Sequence, residues 1–127
     1  PTDSYVNADG SGLSRYNYVA ASTVTAILER TYRDDRHRAP FIATLPIAGK
    51  EGEGTMATRM RRTRAAGNAA AKTGSISNVR ALSGYVRTRE GEMLVFSILA
   101  NDFVIPATTV NWITDLAVEH LANFTRQ

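Results

Sequence analysis

The chain has 127 residues, a formal net charge of +3 and 43% hydrophobic residues. This composition excludes long disorder, and no apolar run approaches the roughly 20 residues that a membrane-spanning helix needs. Cysteine is absent, which excludes a disulfide framework, a thiolate metal site and a cysteine nucleophile. Only two of the 15 basic residues are lysines, Lys50 and Lys72, so each lysine is a candidate functional residue.

The first half of the chain is predicted to consist of loops and helices. Residues 1–17 are predicted to be a loop, because residues 9–12 (DGSG) are typical of turns. Apolar residues at helical spacing predict a helix over 19–33, with Asn17 or Ser22 as its N-cap. Three further elements are predicted: a short helical turn over 40–45, a glycine-rich loop over 49–54 and a basic helix over 55–65.

The second half is predicted to be an antiparallel β-meander followed by a helix. Three strands are predicted over 69–76, 79–88 and 93–101, with a hairpin turn at 89–92. The third strand is nearly all apolar, so we expect it to be covered on both faces. A final helix is predicted over 107–124. Its predicted apolar face consists of Val110, Ile113, Leu116, Ala117, Leu121 and Phe124. Together these elements indicate an α+β fold in one domain.

The first candidate site is Lys72-Thr73-Gly74 on the first predicted strand. Gly74 allows a ligand or another backbone to approach closely. Lys72 supplies a positive charge, and Thr73 and Ser75 supply hydroxyls. A cation and two hydroxyls at an open strand edge suit a carboxylate ligand that docks as an extra strand. The alternative is a surface lysine before an ordinary turn, which is the more common meaning of so short a motif.

The second candidate is residues 9–15 (DGSGLSR), where Arg15 could bind a carboxylate through two hydrogen bonds. The alternative is an Asx-type turn with a solvated arginine. His37 and His120 have no neighbours that would complete a Ser-His-Asp triad. No metal-binding motif is present, and we expect no metal and no other cofactor.

A cluster of arginines raises the possibility of nucleic-acid binding. Its members are Arg59, Arg61, Arg62 and Arg64. The net charge is small, two glutamates lie beside the cluster, and aromatic residues for base stacking are not interleaved with it. We therefore favour a solvated helix face and expect no nucleic-acid partner.

Several motifs follow one another in a characteristic order. They are residues 9–17 (DGSGLSRYN), 45–49 (LPIAG) with 54–56 (GTM), 71–76 (AKTGSI) and 82–86 (LSGYV). Over nearly the whole chain, this series resembles the C-terminal part of the D-alanyl-D-alanine carboxypeptidase/endopeptidase family. These proteins are the class C low-molecular-mass penicillin-binding proteins, peptidase family S13. The resemblance implies the C-terminal part of a β-lactamase/transpeptidase-like domain, and it is more specific than the Lys-Thr-Gly triplet alone.

The resemblance also implies an activity and a set of site residues. The family's enzymes cut peptidoglycan stem peptides that end in D-Ala-D-Ala, form an acyl-enzyme, are acylated by β-lactams and work outside the cytoplasm. Lys72 would supply positive potential, and the hydroxyls of Thr73 and Ser75, flanking Gly74, would hold the terminal carboxylate. The backbone N–H of Ser75 would form half of the oxyanion hole. Four residues would border the pocket for the penultimate stem side chain: Ile76, Ser77, Leu13 and Arg15.

The family's nucleophile is missing from this sequence. No serine has a lysine three residues later or an asparagine two residues later, so the Ser-x-x-Lys and Ser-x-Asn motifs are absent. In the family both precede the segment that corresponds to residues 9–15. We therefore expect a C-terminal fragment, beginning at Pro1 after a truncation and inactive without the missing N-terminal part. Such a fragment would expose apolar sheet surface or a strand edge, which favours homo-oligomers. The alternative is a non-catalytic ligand-binding or assembly module of the same fold.

Overall fold

A computed structural model describes residues 5–126. Its elements, in chain order, are β1 (Tyr5–Val6), β2 (Tyr18–Val19), α1 (Ala21–Arg33), α2 (Arg38–Ala43), a 3-10 turn (Gly54–Met56), β3 (Ala70–Ile76), β4 (Val79–Arg87), β5 (Met93–Asn101) and α3 (Ala107–Asn123). β1 pairs with β2, and β3, β4 and β5 form an antiparallel meander in that order. The arrangement has the α+β character that the sequence predicts. Within the described residues, no helix is both long and apolar enough to cross a membrane.

The two faces of the meander bury different side chains of β4, because successive side chains of a strand point to opposite faces of its sheet. On one face, Leu82 and Val86 pack in a core with Val118 of α3. On the other face, Tyr85 packs beside Leu28 of α1 and donates a hydrogen bond from its hydroxyl to the Leu28 carbonyl at 2.8 Å. Burial raises the pKa of Tyr85, so the hydroxyl stays protonated and can donate. The sheet therefore lies between α1 and α3.

β5 is less well covered than predicted. Phe96 is its one buried residue, and most of the other residues of β5 are half-buried. α1 packs along one face of β5, whereas α3 lies mainly over β4. The apolar character of β5 therefore exceeds the cover that the described elements provide, and the prediction of cover on both faces is met only in part.

The buried face of α3 overlaps with the predicted one only in part: Val110 is buried and Leu121 packs against the core, as predicted. Its buried residues recur at every fourth position: Val110, Thr114, Val118 and Ala122. Ile113 and Phe124 of the predicted face are 49% and 45% exposed. The prediction ranked residues by hydrophobicity, whereas the buried face also includes the small Thr114 and Ala122. The Thr114 hydroxyl is not left unpaired, because it donates to the Asn111 carbonyl at 2.8 Å.

The segment before α1 is not entirely loop. Tyr5–Val6 pairs antiparallel with Tyr18–Val19, and α1 therefore begins at Ala21 rather than at residue 19. The first four residues of the predicted loop lie outside the described residues. The β-ladder uses Val19 and so excludes it from the helix.

Both predicted caps of α1 are wrong. The N-cap is Ala20, which makes no side-chain capping bond, and Ser22 lies inside the helix. Asn17 has another role: its Oδ1 accepts hydrogen bonds from the backbone N–H groups of Ala8 and Asp9, at 2.7 and 3.2 Å. Asn17 thus closes the loop that joins β1 to β2.

The predicted basic helix over 55–65 is also wrong. The structure has only the 3-10 turn Gly54–Met56 there, followed by turns in which Met60 and Arg62 have φ of +55° and +64°. Two non-glycine residues with positive φ are incompatible with a right-handed helix. Met56 and Met60 are nevertheless buried, so the segment is held by its side chains instead of by helical hydrogen bonds.

Arg59 anchors this irregular segment to α3. Its Nε donates to Asp115 Oδ1 at 2.8 Å, and its Nη2 donates to Thr114 Oγ1 at 2.8 Å and to the Asn111 carbonyl at 3.2 Å. The two charged side chains are only 12% and 15% exposed. Burial raises the pKa of Asp115, and Arg59 partly opposes that shift. Arg59 is therefore a packing residue and does not belong to a solvated basic face.

Gly84 allows β4 to pass close to β3. A Cβ atom at this position would lie 2.2 Å from the Ala70 carbonyl oxygen and 2.7 Å from the Ala71 Cα. We predict that Gly84→Ala lowers the free energy of unfolding by about 3 kcal/mol, because β3 must shift. Urea denaturation followed by circular dichroism measures the loss. The control is Gly10→Ala, where nothing lies within 4 Å; equal midpoints for the two variants would contradict the prediction.

We predict that Arg59→Met lowers the free energy of unfolding by about 3 kcal/mol at pH 7, because Asp115 loses its counter-charge in a shielded site. The loss of Arg59 also moves the pKa of Asp115 further above its ordinary value. A carboxyl with a raised folded-state pKa contributes most to stability below its unfolded pKa and loses that contribution as pH rises. The loss of unfolding free energy caused by Arg59→Met should therefore be smaller at pH 4 than at pH 7.

Urea denaturation at the two pH values tests this expectation for Arg59. The matched control is Glu92→Gln, which removes an exposed ion pair with Arg126 and should change stability by less than about 1 kcal/mol. A deficit for Arg59→Met that is equal at both pH values would show that the shielded carboxyl of Asp115 is not its cause.

Candidate active site

The open edge of β3 begins at the lysine motif. Residues 46–48 run along the start of the strand: the Ala71 N–H donates to the Pro46 carbonyl, and the Ala48 N–H donates to the Ala69 carbonyl, both at 2.9 Å. β3 is an edge strand of its sheet. Past Ala71, no strand among the described residues covers this edge. The pairing therefore stops one residue before Lys72.

Two further residues direct backbone groups towards the open edge. Alternate residues of a strand present their N–H and C=O groups on the same side. The N–H and C=O groups of Ala71 point away from β4. The N–H and C=O groups of Thr73 and Ser75 therefore point away from β4 as well. Lys72 Nζ donates to the outward-facing carbonyl of Thr73 at 2.7 Å. Ser75 is exposed, so its N–H is accessible to a ligand that approaches the edge.

The charged and hydroxyl side chains lie on opposite faces of β3. Residues opposite one another in an antiparallel pair share a face. Thr73 pairs with Leu82 and so lies on the α3 side, and Ser75 lies on that side as well. Lys72 pairs with Ser83 on the α1 side. A ligand along the edge would therefore have an ammonium group on one side and two hydroxyls on the other.

Thr73 has a partner that the sequence did not reveal. Its Oγ1 lies 2.9 Å from Thr55 Oγ1. Thr55 belongs to the 3-10 turn, and its neighbour Met56 is fully buried. The motif at residues 54–56 contributes to the family resemblance. Its contact with Thr73 could not be predicted, because Thr55 and Thr73 are 18 residues apart and no periodic pattern links them. Only the folded chain brings the two hydroxyls together.

The glycine-rich loop before Thr55 is organised by its own charges. Lys50 Nζ lies 3.1 Å from Glu53 Oε1, and Glu53 Oε2 accepts a hydrogen bond from the Ile47 N–H at 3.2 Å. The hydrogen bond from Lys50, followed by that from Ile47, holds the pKa of Glu53 below its ordinary value. Lys50 therefore has a structural partner and is not part of the strand edge.

Two residues set the position of β3 against β4. A Cβ atom at Gly74 would lie 3.2 Å from the Ala81 Cβ. A side chain at this position would therefore push β3 away from β4. Asn68 binds the end of β4 through both ends of its amide: Oδ1 accepts from the Arg87 N–H at 3.0 Å, and Nδ2 donates to the Arg87 carbonyl at 2.9 Å. Asn68 was not a candidate from the sequence, because its role depends on a residue 19 positions away.

Leu13 and Arg15 lie in a separate, exposed turn. Asp9 Oδ1 accepts from the N–H and the hydroxyl of Ser11, at 2.9 and 2.6 Å, which lowers the pKa of Asp9. The Ser11 hydroxyl accepts from the Leu13 N–H at 3.1 Å. In the described part of the chain, the hydrogen bonds of residues 8–17 stay within this segment. Leu13 is 68% exposed, and no hydrogen bond joins this turn to β3.

Ile76 and Ser77 lie at the far end of the open edge. Ile76 is the last residue of β3, and Ser77 begins the turn to β4, where Asn78 has φ of +55°. The Arg80 guanidinium caps the turn by donating to the carbonyls of Ile76 and Val79, at 2.9 and 2.7 Å. The structure thus groups Ile76 and Ser77 with the lysine motif, whereas Leu13 and Arg15 belong to the turn before α1, which makes no hydrogen bond to β3 within the described residues.

Comparison with known proteins places the chain in a family. The family model for the D-Ala-D-Ala carboxypeptidase 3 (S13) family matches residues 1–122. The chain is 48% identical over 106 residues to the D-alanyl-D-alanine carboxypeptidase of Actinomadura sp. (strain R39), across 78% of this chain and 19% of that protein. It is 34% identical over 96 residues to the D-alanyl-D-alanine carboxypeptidase DacB of Haemophilus influenzae, across 76% of this chain and 20% of that protein.

Solved structures show the same likeness. Penicillin-binding protein 4 (dacB) of Haemophilus influenzae, crystallised with a β-lactam, superimposes with a TM-score of 0.78 at 31% identity, over 94% of this chain and 29% of that one. The chain spans about a fifth of the length of the curated relatives it matches. The predicted class, an α+β fold of the penicillin-binding type, is confirmed. The chain belongs to the D-Ala-D-Ala carboxypeptidase 3 (S13) family.

Proposed function

We propose that this chain forms one wall of the active site of an extracytoplasmic serine-type D-Ala-D-Ala carboxypeptidase or endopeptidase that acts on peptidoglycan stem peptides. One observation carries the proposal: the open edge of β3 starts where pairing with residues 46–48 ends, and Lys72, Thr73 and Ser75 lie along it. An extended peptide can therefore add to the edge with a cation and two hydroxyls beside it.

The proposed roles follow from the positions of these groups. The hydroxyls of Thr73 and Ser75 hold the carboxylate of the terminal D-alanine through charge-assisted hydrogen bonds. The outward N–H of Ser75 donates to the oxygen that becomes negative in the tetrahedral intermediate. Lys72 supplies positive potential on the other face of the strand. Gly74 shares the face of Lys72 and adds no side chain beside its ammonium group.

The nucleophile is proposed to come from the N-terminal part of the same protein. A serine Oγ loses its proton to a neighbouring base and attacks the carbonyl carbon, the peptide bond breaks, the departing amine takes up that proton from the base, and D-alanine leaves. Water then hydrolyses the acyl-enzyme. A β-lactam enters the same sequence, but its amide opens within the ring, so the leaving group stays attached. This accounts for acylation by penicillins.

The pocket for the penultimate side chain of the peptide is proposed to lie at the hairpin end of the edge. Ile76 and Ser77 border it there. Leu13 and Arg15 come from the exposed turn, and within the described residues Arg15 makes no hydrogen bond or ion pair. Its guanidinium is therefore available for a carboxylate on the stem side chain.

The absence of a Ser-x-x-Lys motif from the sequence favours one other function. A chain that retained the wall without the nucleophile would be a non-catalytic binding module. The two functions differ in whether a covalent adduct forms, and the predictions below separate them.

We predict that Lys72→Ala lowers the rate of acylation of the full-length protein by a fluorescent penicillin about 100-fold, because positive potential at the site is lost. Gel fluorescence against time measures the rate. Arg126→Ala is the charge-matched control, since Arg126 pairs with Glu92 beside the turn between β4 and β5. An unchanged rate for Lys72→Ala would remove Lys72 from the mechanism.

We predict that the chain of 127 residues alone is not labelled by the fluorescent penicillin, because it contains no Ser-x-x-Lys motif. The same gel assay, with the full-length protein as positive control, tests this. A labelled band that survives denaturation would show a nucleophile within residues 1–127. A full-length protein that binds the peptide but is never labelled would favour the binding module.

A further inference from the structure

We infer that Thr55 is a positioning residue for carboxylate ligands, acting through Thr73. The inference rests on the proposed function, because it assumes that Thr73 contacts the ligand's carboxylate. In it, Thr55 donates its hydroxyl proton to Thr73 Oγ1, 2.9 Å away. The Thr73 proton is then directed at the ligand. Thr55 thus contacts Thr73, and only Thr73 contacts the carboxylate.

The direction of this hydrogen bond follows from counting protons. A threonine hydroxyl has one proton and two acceptor lone pairs, and an ionised carboxylate has no proton to give. When Thr73 donates to the carboxylate, its hydroxyl can only accept from Thr55. The ligand therefore selects one of the two possible directions. A chain of two hydrogen bonds that ends on a charged acceptor is stronger than either bond alone.

The position of Thr55 is fixed by its neighbours. The Met56 N–H donates to the Glu53 carbonyl at 3.1 Å, and the Met56 carbonyl accepts from the Gly49 N–H at 3.0 Å. Met56 is fully buried, and Arg59 is tied to α3 three residues later. Thr55 and Thr73 are both β-branched, with few χ1 rotamers. The two hydroxyls therefore meet with little loss of conformational freedom when a ligand binds.

The contact between Thr55 and Thr73 is poorly suited to stabilising the fold. Thr55 is exposed and Thr73 is half-buried, so water replaces either hydroxyl partner when the other is removed. A hydrogen bond of this kind contributes most when a bound ligand has excluded that water. We therefore expect its effect in ligand reactivity and not in the melting temperature.

The test uses the full-length protein and two forms of one penicillin, benzylpenicillin and its methyl ester. Thr55→Val keeps the shape of the side chain and removes the proton donor. We expect this variant to be acylated about 10-fold more slowly by the acid, which corresponds to about 1.4 kcal/mol, and at an unchanged rate by the ester. Thr55→Ser should restore the rate with the acid. Thr58→Val, an exposed threonine in the same segment, should change neither rate.

Each outcome decides a question about Thr55. An unchanged rate of Thr55→Val with the acid, or an equal loss with acid and ester, would overturn the inference. An equal loss accompanied by a lower melting temperature would assign Thr55 a structural role instead. If the wild-type protein is not acylated by either compound, the proposed function itself fails, and this is seen before any variant is compared.

Discussion

The pairing of residues 46–48 with the start of β3 is the constraint on which the rest of the structure depends. The hydrogen bonds of Pro46 and Ala48 cover the strand edge as far as Ala71. Because this pairing then stops, the edge is open at Lys72 and beyond. The loop over residues 49–54 starts directly after this pairing and leads to Thr55, which contacts Thr73. One short contact therefore determines both where the edge is free and what lies beside it.

A continuous set of contacts links α3 to that edge. Asp115 and Thr114 hold Arg59 in a shielded position. Arg59 is three residues from Met56, whose buried side chain fixes the 3-10 turn. The turn presents Thr55 to the strand. The arginine that looks like part of a basic surface in the sequence thus supports the loop beside the candidate site.

Local patterns predicted some elements well and others badly, for physical reasons. β3, β4 and β5 were predicted to within one residue at each end, because alternation and turn residues act between near neighbours. The helix over 55–65 was wrong because side-chain burial and the Arg59 anchor override helical propensity there. The buried face of α3 was predicted only in part, because the side of the helix that meets the sheet includes the small Thr114 and Ala122, which a ranking by hydrophobicity passes over.

The sequence by itself determined the family, the α+β class and the strand that carries Lys72, Thr73 and Ser75, since these depend on ordered motifs and on period-two patterning. Only the tertiary structure decided which edge of that strand is open, which faces its side chains take and that Thr55 contacts Thr73. These features depend on pairings between residues distant in the chain. Such contacts leave no period in the sequence, because they form only when the sheet, the loop and α3 pack together.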